Sequence, residues 1–259
     1  MPWLTVLGIP AGVYVMSVTA LMFLVNGKPQ NSLLLSGVGF LTIGIYIFHR
    51  STVVAVEPMQ QRHRIALQHT TLLGWISCCL LMGAVVIFAL HQPIAPLLVF
   101  GSLGGVCVYG RKTFIKPLRT YPYLKSIAVG VAITSFAWAL NDFSNSILTV
   151  VAFVLMCSAD AMVCDLLDRE YDVATGCRTL AMQLGDYWTW IISTAVYCVA
   201  SIGILFALVH SRVGFYIFVV YIASLTCRKF DSRYVVDLRL ILVLLLAWVQ
   251  WLFWTGQLH

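Results

Sequence analysis

Long uninterrupted apolar runs, with almost no charge inside them, constrain this chain more than any other feature. They fall at about 4–25, 32–48, 70–91, 94–109, 126–140, 146–164, 188–209, 213–226 and 237–255. Crossing ~30 Å of hydrocarbon takes about 20 helical residues, so the shorter runs must extend into their polar flanks. The runs are continuous rather than alternating, which excludes the strands of a membrane β-barrel. Water is not the solvent for so much apolar surface: 61% of the 259 residues are hydrophobic and 10% are charged, against about 25% charged in an ordinary soluble domain. The expectation is an all-α integral membrane bundle of about nine transmembrane helices, a single domain spanning 1–259.

The stretch Met1 to Val25 lacks a basic leader region and a small-x-small cleavage site, so it reads as a first membrane helix rather than a signal peptide. Six cysteines (Cys78, Cys79, Cys107, Cys157, Cys164, Cys198) lie within or at the ends of apolar runs, where they act as small hydrophobes. Cys177 and Cys227 stand in polar loops with no CxxC or Cys/His spacing, so a thiolate metal site is not expected.

Alternating the sides of nine spans sorts the charge. The loops 49–69, 110–125, 165–187 and 227–239 hold fourteen of the sixteen basic residues, and only Lys28 and Arg212 fall on the other face. The positive-inside rule then places those loops and the N-terminus in the cytoplasm, and the C-terminus opposite. Trp248, Trp251 and Trp254 near the far end read as an interfacial belt.

Acidic residues are more concentrated still. Of ten in the chain, five lie between Asp160 and Asp172. Asp165, Asp168 and Asp172 are spaced i, i+3 and i+7, on one face of a helix, where three carboxylates repel one another. A compensating cation is expected. One source is Arg169 and Arg178, which would make the cluster a solvated helix end. The other is a hard divalent ion: Mg²⁺ takes oxygen ligands, typically one or two carboxylates plus the phosphate oxygens of a substrate. At the mouth of a membrane bundle that combination suits a lipid-like diphosphate, its head in water and its tail among the helices. Asp160, about a turn and a half inside the sixth span, is a separate oddity, since an intramembrane carboxylate marks a function or a buried partner.

The segment Asp165-Leu-Leu-Asp168-Arg-Glu-Tyr-Asp172, followed by Gly176 and Arg178-Thr179-Leu180, resembles the second aspartate-rich motif of the UbiA superfamily of intramembrane prenyltransferases. The resemblance implies nine transmembrane helices, with aspartate-rich motifs after the second and sixth on the cytoplasmic side and Mg²⁺ bridging them to an isoprenoid diphosphate. Arg119-Thr-Tyr-Pro-Tyr-Leu-Lys125 is similar to the basic loop that opens that family's fifth helix. It implies Lys125 as a diphosphate contact and catalytic residue, with Arg119 and Arg178 as further diphosphate contacts. Asp165, Asp168 and Asp172 are then the metal ligands and catalytic carboxylates.

The first motif departs from the pattern. After the second span stands Tyr46-Ile-Phe-His49-Arg50-Ser-Thr-Val53-Val54-Ala-Val-Glu57-Pro58, with His49 and Val53 where aspartates belong. Glu57 is the one carboxylate in reach and a substitute metal ligand. His49 is either a cation pairing with diphosphate when protonated or an ordinary helix-end residue. The expected activity is Mg²⁺-dependent transfer of a prenyl group from an isoprenoid diphosphate to an aromatic or lipid-like acceptor. The alternatives are a UbiA-type terpene cyclase, or a non-catalytic membrane subunit binding isoprenoid, quinone or pigment. A transporter with Asp160 and Asp165 in a cation path leaves the i, i+3, i+7 series unexplained. The expected surroundings are the lipid bilayer, with no nucleic acid as partner.

Overall fold

A computed structural model describes residues 2–28, 31–51, 61–91, 95–110, 121, 124–174, 176–207, 213–225, 239 and 241–245. Among these residues all regular structure is helical. The elements are α1 (Pro2–Leu7), α2 (Ile9–Val25), α3 (Ser32–Ser51), α4 (Gln61–Gln68), α5 (Thr70–His91), α6 (Ala95–Gly110), α7 (Leu124–Leu140), α8 (Ile147–Leu167), α9 (Arg169–Ala174), α10 (Leu180–Ala207) and α11 (Val213–Leu225). Eight of the nine apolar runs therefore fall on helices. The ninth, 237–255, lies largely outside the described residues.

Four helices, α3, α5, α8 and α10, are long and apolar enough to cross a membrane, and α2, α6 and α7 are shorter apolar helices. Their outward faces carry large apolar side chains. Leu72, Trp75, Met82, Val86 and Leu90 of α5 and Phe206 of α10 all lie exposed, which water would penalise and lipid does not. The protein is an integral membrane protein. Its helices pack as neighbours in a chain of contacts: α3 against α2 and α5, α7 against α2 and α8, and α10 against α8 and α11.

In lipid there is little hydrophobic force between helices, so close packing and polar contacts hold them together. At Gly130 of α7 a Cβ would run into Ser158 Oγ and stand 2.6 Å from the carbonyl of Val154 on α8. Only hydrogen fits there, and α7 seats against α8 at that point. The α7–α8 turn is tied to α2 by the side-chain amides of Asn141 and Asn145, which both donate to the carbonyl of Met22, at 3.1 and 3.0 Å. Ser146 then caps α8 by accepting from the amide of Thr149.

Two boundaries differ from those the runs predict. The first run is broken at Gly8 (φ 71°), which separates α1 from α2. The C-terminal carbonyls of α1 are met by Arg50, whose guanidinium donates to the carbonyl oxygens of Thr5 and Val6. Arg50 thus works as a buried strut between α1 and the end of α3. The segment 49–69, expected as a loop, contains α4, with His63 and Ala66 turned inward.

Candidate functional site at the end of α8

Asp165 sits in the last turn of α8, Asp168 caps that helix, and Asp172 lies in α9. The helical hydrogen bond from the amide of Asp172 to the carbonyl of Asp168 (2.7 Å) carries the turn across the junction. Gly176, in the left-handed region (φ 72°), then ends α9, and the amide of Cys177 closes back onto the carbonyl of Asp172 at 2.8 Å. A residue with a Cβ is strained at Gly176, so the Gly-Cys-Arg-Thr-Leu exit is first a way of stopping the helix.

The three carboxylates do find cations, from other segments of the chain. Lys125, in the first turn of α7, places its Nζ 2.8 Å from Asp165 Oδ1 and 2.6 Å from Asp172 Oδ2. The hydroxyl of Ser126 donates to Asp165 Oδ2 at 3.1 Å. Arg62, on α4, donates to Asp168 Oδ1 at 2.8 Å. Asp165 and Asp172 are 5% and 3% exposed, so these pairs are sheltered from solvent and keep most of their strength.

The solvated helix end balanced by Arg169 and Arg178 is not what forms. Arg169 reaches instead to Asp186, at 3.5 Å, and Arg178 is exposed. Geometry explains both: Arg169 follows Asp168 directly and leaves the carboxylate face of the helix, and Arg178 comes after the glycine turn. His49 stands in the last turn of α3. Glu57 and Arg119 lie outside the described residues.

Neither Arg62 nor His63 belongs to the aspartate-rich pattern or to the basic stretch before Lys125. The structure brings both to the acidic row. The His63 ring packs on that of Tyr171 with centroids 4.5 Å apart, beside Asp172. The available signal was local: His63 and Ala66 are spaced i, i+3 on one face of the short helix Gln-Arg-His-Arg-Ile-Ala-Leu-Gln and are buried together.

Burial, aided by the charges of Arg62 and Arg50, pushes the His63 imidazole down to about 3, with Asp168 pulling the other way. An unfolded histidine titrates near ~6.5. Between those values the unfolded chain binds the extra proton, so the contribution of the neutral ring is complete above 6.5 and is lost as pH falls toward 3. Wild type is expected to lose more thermal stability in detergent between pH 7.5 and 4.5 than His63→Phe, which keeps the ring stack and removes the titration. Equal losses would contradict this.

Mg²⁺ is the metal that the motif implies. Among the described residues no group of three or more His, Cys, Asp or Glu side chains is arranged to hold a metal ion by itself. The donor chemistry fits all the same. Two carboxylates already converge on one cationic point, the Lys125 ammonium, and Mg²⁺ ordinarily completes its shell with water and substrate phosphate rather than with an all-protein cage.

No family model matches the chain, and no curated protein does. Solved structures do. The apo UbiA homolog from Aeropyrum pernix K1 superposes with a TM-score of 0.64 at 14% identity, over 91% of this chain and 96% of that one. The UbiA homolog from Archaeoglobus fulgidus bound to Cd²⁺ gives 0.64 at 11% identity, over 94% and 98%. The Archaeoglobus fulgidus UbiA homolog bound to DMAPP and Mg²⁺ gives 0.58 at 14%, over 95% and 86%. The chain has the fold of the UbiA homologs, essentially end to end.

Proposed function

We propose that the protein is a UbiA-type membrane prenyltransferase. It binds an isoprenoid diphosphate at the Asp165, Asp168 and Asp172 mouth and passes the prenyl group to an aromatic or lipid-like acceptor. The observation that carries this reading is the convergence of Asp165 and Asp172 on one cation, the Lys125 Nζ, at the end of a long apolar helix. The same fold in Archaeoglobus fulgidus holds DMAPP and Mg²⁺.

Mg²⁺, when bound, would be held by Asp165, Asp168 and Asp172, with Glu57 as a further ligand, and would supply positive charge to the diphosphate oxygens. Lys125 gives the diphosphate a strong charge-assisted donor once it exchanges a carboxylate for a phosphate oxygen. Arg119, Arg178 and His49 are the further diphosphate contacts of this reading. The allylic C–O bond breaks with its electron pair leaving on diphosphate. The acceptor then bonds to the allylic carbon and sheds a proton. The apolar helix interior keeps water from capturing the cation first. In this reading the mouth and the N-terminus face the cytoplasm, the side that the basic loops favour.

One observation favours a second reading, a non-catalytic relative that only binds isoprenoid. His49 and Val53 stand where the first carboxylate set is expected, and the second is already paired with Lys125 and Arg62.

Titration of the purified protein with geranylgeranyl diphosphate, with and without Mg²⁺, tests the binding. Metal-dependent affinity that falls at least ~10-fold in Asp168→Ala, the equivalent of about 1.4 kcal/mol, is expected. Affinity indifferent to Mg²⁺ or to Asp168 sinks the reading. Pyrophosphate released above background separates the transferase from the passive binder, and a terpene cyclase would release it with no acceptor added.

A further inference from the structure

Five residues before Asp165, about 7.5 Å deeper along the axis of α8, a second polar cluster is closed off entirely by protein. Its centre is Asp160, 2% exposed. Tyr14 of α2 donates its hydroxyl to Asp160 Oδ2 at 2.8 Å. Arg239, counted with the cytoplasmic loop 227–239 by the charge partition, is in fact 1% exposed and ion-paired to Asp160 Oδ1. Its guanidinium lies 4.6 Å from the ring centre of Tyr221 and 5.2 Å from that of Tyr197. Those two rings, from α11 and α10, stack at 3.8 Å.

The pairing with Asp160 consumes only part of what Arg239 offers. Guanidinium carries five N–H donors in a fixed plane. Among the described residues, Arg239 Nε and Nη1 and the hydroxyl of Tyr197 are buried without a hydrogen-bond partner. Tyr197 is 1% exposed. Buried donors of this kind are rarely left empty, and leaving them so is costly. A purely structural ion pair would need none of them. The spare donors call for oxygen acceptors, and the stacked tyrosines give a flat aromatic wall beside them. Asp160 and Arg239 offset each other in charge, so a further anion would stand uncompensated in a low-dielectric interior, where it is disfavoured. A neutral oxygen is not.

We infer that Arg239, Tyr197 and Tyr221, held in place by Asp160 and Tyr14, form an intramembrane binding site for the uncharged carbonyl oxygens of a membrane-soluble ligand, separate from the acidic mouth. The site stands on its own polar cluster and does not require that the mouth bind diphosphate or turn over.

A short-chain alkyl benzoquinone is a suitable probe, titrated into the full-length protein in nanodiscs with intrinsic fluorescence as the readout. The alkane and the carboxylate of matching chain length serve as comparison arms. Saturable quinone binding is expected, weakened at least tenfold by Tyr197→Phe, which keeps the ring and removes only the hydroxyl, and by Arg239→Lys, which keeps the charge opposite Asp160 and removes the planar guanidinium donor array. Asp168→Ala is expected to leave quinone affinity unchanged, and the alkane to show no saturation. The inference is overturned if Tyr197→Phe binds as wild type does, which would mean that water alone serves these donors. It is overturned equally if the carboxylate binds more tightly than the quinone, or if Asp168→Ala abolishes quinone binding. Because Tyr197→Phe preserves the stack, misfolding of the arginine variant would not decide the question.

Discussion

Replacing Lys125 by methionine is expected to destabilise the protein by about 3–5 kcal/mol, seen as a large drop in the thermal unfolding midpoint in detergent. Methionine keeps most of the aliphatic stem and removes only the ammonium. What is lost is a group that touches both Asp165 and Asp172, two carboxylates left nearly out of water. Breaking a buried pair from one side leaves an uncompensated charge, and that, rather than the lost attraction, sets the size of the effect. Adding Asp172→Asn to Lys125→Met should recover part of the loss, because one of two neighbouring buried like charges disappears with it. A Lys125→Met protein as stable as wild type would mean that the carboxylates have another cation, and the bridging geometry would be wrong.

The second large effect is expected at Asp160. Asp160→Asn preserves shape and leaves Arg239 buried without its counter-charge, at a cost of about 3–5 kcal/mol. The guanidinium cannot shed its proton to escape, since arginine stays charged in proteins. Asn keeps one oxygen to accept from Arg239, and its amide nitrogen stands where Oδ2 accepted from Tyr14 and can only donate to that hydroxyl. Both contacts can therefore persist with one reversed, and the lost charge is the main change. The double variant Asp160→Asn with Arg239→Gln should therefore be more stable than Asp160→Asn alone. Additive losses in that cycle would show that the two residues do not interact.

The two predictions address different kinds of sequence signal. Asp165, Asp168 and Asp172 were legible as a shared face because helix periodicity is local: i, i+3 and i+7 fall together whatever the rest of the chain does. What neutralises them was not legible. The nearest basic residues in sequence, Arg169 and Arg178, go elsewhere, and the work is done by Lys125 and Arg62, which are 47 residues from Asp172 and 106 from Asp168. The positive-inside partition placed Arg239 among solvated loop cations because counting charge along a chain cannot see depth. Its partner, Asp160, is 79 residues away.

The apolar runs by themselves determined that this chain enters a membrane as a helical bundle, and largely where its helices lie: the run at 70–91 is α5, residue for residue. That follows because lipid offers backbone groups no partners, so an apolar run of that length must satisfy them internally as helix. Only the tertiary structure decided which helices meet, that α4 brings Arg62 and His63 to the acidic row, and that Asp160 has Arg239 as its partner. Those contacts depend on packing between segments far apart in the chain, where spacing along the sequence carries no information about distance.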